Sequence, residues 1–247
     1  MSKNSCARCG DTLDARGAAG EALLCRACRL APPPFTRDVA WGGYEGRMKD
    51  AIHALKYGRL HPAAGRLGKM LASAIEQLAG EAPQAMLVVP VPLHRGKFAQ
   101  RGFNQARALA QEALRELRVR HPQWRLQLAP TTLMRLRATE SQAGLTPRQR
   151  RMNVRGAFSV ADAAAVKEKH VLLVDDILTT GATARAAAQT LIRAGAASVW
   201  VATLARARRT GRVESNTWTL HGEDGGAVPP EAVQRTVFAS PEGQPPF

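Results

Sequence analysis

The chain has 247 residues, 45% of them hydrophobic, so one main domain with appendages and a sizeable core is expected. No apolar run approaches the roughly 20 residues of a membrane span, which excludes a membrane-embedded protein from the expectation. The formal net charge is +15, a field that attracts polyanions, either nucleic acid or a phosphorylated small molecule.

The N-terminal stretch MSKNSCARCG lacks the apolar core of a secretory signal, so a cytoplasmic protein is expected. Cys6, Cys9, Cys25 and Cys28 form two C-x2-C pairs. Such spacing lets each pair face one metal ion, and the intervening turn-formers Gly10, Asp11, Gly17 and Gly20 can return the second pair. Disulfides are disfavoured in a chain without a secretion signal. A closed shell of four sulfurs leaves no open coordination position, so the zinc expected here is structural. Residues 1–33 are read as this zinc module, and the run APPPF (Ala31 to Phe35) as a stiff break after it.

The stretch EGRMKDAIHALKYG then places Met48, Ile52 and Leu55 on one helical face and stops at Gly58. A second amphipathic helix is predicted through Leu67, Leu71, Ile75 and Leu78, followed by a short buried strand in AMLVVPVPL. Asn104 is a suitable cap for a helix carrying Ala106, Leu109, Ala110, Ala113, Leu114 and Leu117 on one side. From Leu93 to Arg155, 14 Lys and Arg stand against three acids, Glu112, Glu116 and Glu140. HVLLVDD and SVWVATL read as further buried strands, joined by a helix with Ala184, Ala187, Ala188, Leu191 and Ile192 on one face. Doubly buried strands alternating with helices indicate a parallel sheet in an α/β fold. Beyond Ala205 periodicity is lost, apart from a weak strand signal in TVFAS.

Chemistry concentrates in VLLVDDILTTGATARA, Val171 to Ala186. Ligands of open parallel sheets sit at the carboxyl ends of strands, where Asp175 and Asp176 fall. Thr179, Thr180, Gly181, Ala182 and Thr183 form the turn into the next helix, where backbone N–H groups and the positive helix end can cradle a phosphate. Two carboxylates would repel that phosphate unless a ribose lay between, its 5′-phosphate in the turn and its vicinal hydroxyls on the acids. A Walker B element also carries acids after an apolar strand, but no G-x4-G-K-[S/T] partner loop exists in the chain. Bacterial receiver domains carry LVDD on their first strand, whereas here it follows 170 residues.

VLLVDDILTTGATARAA resembles the ribose-phosphate signature of type I phosphoribosyltransferases. The whole arrangement resembles, more narrowly, the ComF family of competence-associated proteins. The four-cysteine head, ALKYG (Ala54 to Gly58), VPVPLHRGKFAQRGFNQARALA (Val89 to Ala110) and LMRLRATESQAGLTPRQRRMNVRGAF (Leu133 to Phe158) carry that likeness. It covers about residues 6–205 and implies a type I phosphoribosyltransferase-like parallel sheet flanked by helices over 34–205. Residues 206–247 lie outside the resemblance and are expected to be a poorly ordered tail.

The resemblance implies that Asp175 and Asp176 hold the ribose diol of phosphoribosyl pyrophosphate or a related ribose phosphate, and Thr179 to Thr183 its 5′-phosphate. It places Pro92 and Leu93 in a diphosphate-contacting turn and makes Arg101 the cation for the diphosphate. Arg137 and Gln142 fall in the loop that closes over the site, and Lys56 is a further candidate phosphate contact. Mg²⁺ would bridge diphosphate and sugar hydroxyls. No general base and no acceptor can be named. The six histidines form no evident ligand pair.

Two functions therefore stand: a Mg²⁺-dependent phosphoribosyltransferase acting in DNA uptake and natural transformation, or a catalytically silent module binding single-stranded DNA through residues 93–155. DNA-uptake proteins are the implied partners. The aromatic content of 5% counts against a stacking platform for single strands, although Phe98, Phe103 and Trp124 lie within the basic stretch.

Overall fold

Runs of apolar residues with no polar alternation need partners on both faces, and here they find them. In the computed structural model, which describes residues 5–13, 23–57, 61–137 and 147–207, they assemble into a sheet with apolar clusters on either side. A short helix, α1 (Arg26–Leu30), leads into strand β1 (Asp38–Gly43). Helices α2 (Gly46–Tyr57) and α3 (His61–Ile75) follow, α3 continuing into a 3-10 turn at Glu76–Leu78. Strand β2 (Ala85–Pro90) precedes α4 (Arg95–Arg101), α5 (Gln105–Arg120) and β3 (Arg125–Leu128). Two short strands, β4 (Leu133–Arg135) and β5 (Phe158–Val160), flank α6 (Pro147–Val154) in sequence. The described chain ends with β6 (His170–Leu178), α7 (Ala182–Arg193) and β7 (Ser198–Arg206).

The main sheet has the order β1-β7-β6-β2-β3 and every pairing in it is parallel. Strand alternation divides its core. Leu172 and Val174 pack with Leu71, Ile75, Leu109 and Leu117 on the α3/α5 side. Val171 and Leu173 pack with Ala184, Ala187, Ala188 and Leu191 of α7 on the other. Each fully buried aliphatic side chain contributes about 1.5–3 kcal/mol relative to exposure, so the central strand β6 is anchored from both faces. The expected α/β architecture is present.

Several elements departed from the sequence reading. β1, β3 and the antiparallel β4–β5 pair were not foreseen, because they are short and none is a continuous apolar run. Met48, Ile52 and Leu55 do share a face of α2, and Asn104 does cap α5, its side chain accepting from Arg107 N at 3.2 Å. TVFAS and the expected tail from residue 208 onward lie outside the described residues. The described residues all fall in one compact unit, Met1–Thr210, which includes the cysteine segment.

Candidate functional site

Strand lengths create the cavity. β2 pairs with β6 only as far as Pro90 opposite Val174, and a last bond runs from Val91 N to Val174 O. Past that point β6 continues through Asp175, Asp176, Ile177 and Leu178 with, among the described residues, β7 alone beside it. α5, the longer of the two helices between β2 and β3, packs on one face of the sheet and α7, after β6, on the other. A crevice between two such strands is where open α/β sheets bind ligands. The acids therefore sit in the last four residues of β6, on the edge that β2 no longer pairs.

An open cavity of about 410 Å³ occupies this crevice. Asp175, Asp176, Thr179, Gly181, Ala182 and Thr183 form one wall. Gly181 has φ +73° and begins α7, a conformation that a glycine adopts without strain. The first N–H groups of a helix have no intrahelical acceptor, and they point with the positive helix end into the turn. Thr180 does not line the cavity; its Oγ1 accepts from Ala182 N at 3.4 Å and so braces the turn from behind.

The facing wall comes from the segment after β2. Pro92 and Leu93 lead to His94, whose Nδ1 accepts from Gly96 N to cap α4. Asn104 Nδ2 donates to Val91 O at 3.0 Å, tying the start of α5 back to that turn. Lys97 and Arg101, one helical turn apart on α4, both reach the cavity. Arg135 of β4 joins them, its guanidinium 5.4 Å from the Phe158 ring centre. Burial, and then the charges of Arg135, Arg101 and Lys56, hold the Lys97 ammonium below the usual lysine range. Tyr44, Gln105 and Lys56 also line the cavity.

The acids are not equivalent. Asp176 is 7% exposed, and Lys56 Nζ lies 2.8 Å from its Oδ2. Asp175 Oδ1 accepts from Asp176 N at 2.9 Å. Burial and then the neighbouring Asp176 charge push Asp175 up to about 8, against the pull of that N–H and of Lys56. The cavity thus offers hydroxyl-accepting carboxyls at one end and anion-binding groups at two others.

The expected residues Lys56, Pro92, Leu93 and Arg101 meet the acid pair and the threonine turn in this one cavity. Arg137 does not join them: its Nη2 donates to Asn153 O and Arg155 O, satisfying carbonyls at the end of α6. Gln142 lies outside the described residues. The sequence reading passed over Lys97 and Arg135. Lys97 could have been found from its i, i+4 spacing to Arg101, which puts both on one helix face. Arg135 offered no local signal that separated it from Arg137.

Cys6, Cys9, Cys25 and Cys28 are all buried, and their sulfurs lie within 4.8 Å of one another. Cys6 N donates to Asp11 O and Gly10 N to Cys6 O, folding the first pair into a tight turn. Cys25 caps α1 through its sulfur, which accepts from Cys28 N. The Cys9 and Cys25 sulfurs are 3.7 Å apart, too far for a disulfide. About 3.8 Å is what a tetrahedron of Zn–S bonds of about 2.3 Å requires. The donor set can hold a metal ion and suits zinc.

Fold and cavity together define a phosphoribosyltransferase-like protein, and the phosphoribosyl transferase domain family matches residues 101–232. Among curated relatives, DNA utilization protein YhgH of Escherichia coli K12 is 34% identical over 208 residues, covering 83% of this chain and 85% of its own. Competence protein F of Haemophilus influenzae is 28% identical over 207 residues, covering 82% and 84%. A solved glutamine phosphoribosylpyrophosphate amidotransferase from B. subtilis matches 57% of this chain at 24% identity and a TM-score of 0.33; the match spans 26% of that larger chain. The chain belongs to the ComF family, with its phosphoribosyltransferase domain and its four-cysteine head.

Proposed function

We propose that this protein binds phosphoribosyl pyrophosphate in the β6–α7 cavity and transfers the phosphoribosyl group to an acceptor in the cytoplasm, in the service of DNA uptake. The observation that carries this reading is the convergence of an acid pair, a glycine turn at a helix start and four cations on one crevice. Asp175 and Asp176 accept hydrogen bonds from the ribose 2′- and 3′-hydroxyls. The α7 N-terminal amides and the Thr179 and Thr183 hydroxyls hold the 5′-phosphate. Lys97, Arg101 and Arg135 take the diphosphate, arginine engaging two oxygens at once through its planar donors. Mg²⁺, when bound with the ligand, would neutralise the leaving diphosphate. Displacement at C1 passes through a cation-like sugar, and shielding it from water limits hydrolysis.

The DNA context rests on what the relatives' names say of those proteins, utilization of DNA and competence. A silent single-strand-binding module is the weaker reading. Phe103 and Trp124 are partly buried against the core, Trp124 stacking on His121, so of the aromatic residues in the basic stretch only Phe98 stands well exposed. No helix among the described residues is long and apolar enough to cross a membrane. A structural zinc in the cysteine cluster completes the proposal.

The test is calorimetric titration with phosphoribosyl pyrophosphate. The double variant Asp175→Asn, Asp176→Asn should lose binding while its zinc content stays that of the parent. Binding equal to the parent's would overturn the assignment of the acids to the sugar.

A further inference from the structure

Lys56 sits in the last turn of α2, where the buried Ile52 and Leu55 fix the helix's register against the core. Its side chain is 19% exposed and that of Asp176 10%. Asp176 Oδ2 has no contact with solvent and no hydrogen-bond partner among the described residues, and its charge is met by the Lys56 ammonium as an ion pair at 2.8 Å. A buried carboxylate needs a counter-charge at this distance. The sequence pointed Lys56 towards phosphate; the geometry gives its charge to the sugar end of the cavity instead.

The surroundings explain what happens when a ligand arrives. Among the described residues, four cations, Lys56, Lys97, Arg101 and Arg135, and two acids line the cavity. When ribose hydroxyls donate to the acids, they compete with Lys56 for Asp176. The displaced ammonium stays within the same small volume, and a polyphosphate entering beside it meets an already cationic wall. The electrostatic work of a divalent cation, balancing the acids and the diphosphate against one another, is thus available from the chain itself.

We infer that Lys56 is a built-in counter-ion for Asp176 that lets this protein bind a phosphoribosyl diphosphate without a divalent cation. The inference rests on the sugar-phosphate reading of the cavity and adds to it a reduced need for Mg²⁺. The full-length protein, in buffer stripped of divalent ions over a chelating resin and with its zinc content verified, is titrated with phosphoribosyl pyrophosphate with and without added Mg²⁺. The parent should bind within about threefold under the two conditions, and Lys56→Met should lose about tenfold or more without Mg²⁺, because a buried carboxylate is left without its counter-charge. Added Mg²⁺ should restore Lys56→Met, and Lys56→Arg should behave as the parent. A parent that binds only with Mg²⁺, or a Lys56→Met indistinguishable from it in both buffers, refutes the counter-ion role and leaves the sugar-phosphate site standing. A parent that binds in neither buffer refutes both. Should Lys56→Met fail to fold, the comparison of the parent in the two buffers still decides.

Discussion

Asp175 occupies a position where fold and function oppose one another. Its ordinary value of 3.8 is pushed up to about 8, first by burial and then by Asp176, with Lys56 pulling the other way. Arg135 faces the same carboxyl from β4. Between those two pH values the folded protein holds a proton that the unfolded chain has released. The stability from this proton is therefore complete below pH 4 and is lost as pH rises through 8. Asp175→Asn keeps the oxygen that accepts from Asp176 N but cannot ionise. It should raise the melting temperature of the unliganded protein at pH 8 to 9 by about 2–4 °C per kcal/mol recovered, with a smaller gain at pH 5. Scanning calorimetry at the two pH values checks this; an equal shift at both would mean that the carboxyl is already ionised in the acid range.

At the scale of elements, α3 and α5 approach so closely that one position admits no side chain. A Cβ built on Gly68 would lie 2.2 Å from Glu112 Cβ and 3.2 Å from the Ala113 nitrogen, whereas one on Gly65 of the same helix would meet open space. Alanine favours a helix interior over glycine by about 0.8–1 kcal/mol, and overpacking costs about 1–3 kcal/mol. Gly65→Ala should therefore raise the urea midpoint and Gly68→Ala lower it, with the slope of the transition unchanged in both. The same contrast governs what the sequence disclosed. α2, α3, α5 and α7, and strands β2, β6 and β7, could be read because each carries its own period or an unbroken apolar run. β1 (DVAWGG) and β3 (RLQL) are strands by virtue of their neighbours, pairing with β7 and β2 at the sheet edges, and their own residues say little. The acid pair and threonine turn were legible as a contiguous motif. Lys97 and Arg135 reach the cavity only because α4 and β4 are oriented as they are, and that orientation is set by contacts distant in sequence.

Across the whole molecule, the cysteine head and the far edge of the sheet are bound into one structure. Asp38 N donates to Arg8 O at 2.8 Å, and the Asp38 carboxylate pairs with Arg206. Tyr44 of the cavity lining donates its N–H to Arg206 O. Removal of the metal should therefore be felt beyond the head. If the head holds the proposed zinc, Cys9→Ser or treatment with a strong chelator should remove about one zinc per chain, the content a single four-sulfur site gives, and lower the melting temperature of the main transition. An unchanged main transition in metal-free protein would show the head to be energetically separate.

The pairing of β1 with β7 also sets a timetable for synthesis. Among the described residues β1 has β7 as its one neighbour, so a strand made at residues 38–43 waits for residues 198–206. At about 5–20 residues per second, translation separates the two by roughly 8–30 s. Throughout that interval the cysteine segment has no completed β1–β7 edge to dock on. Early capture of the proposed zinc by the segment's thiols would shield them until β7 emerges, a part in biogenesis beyond any part in the finished fold.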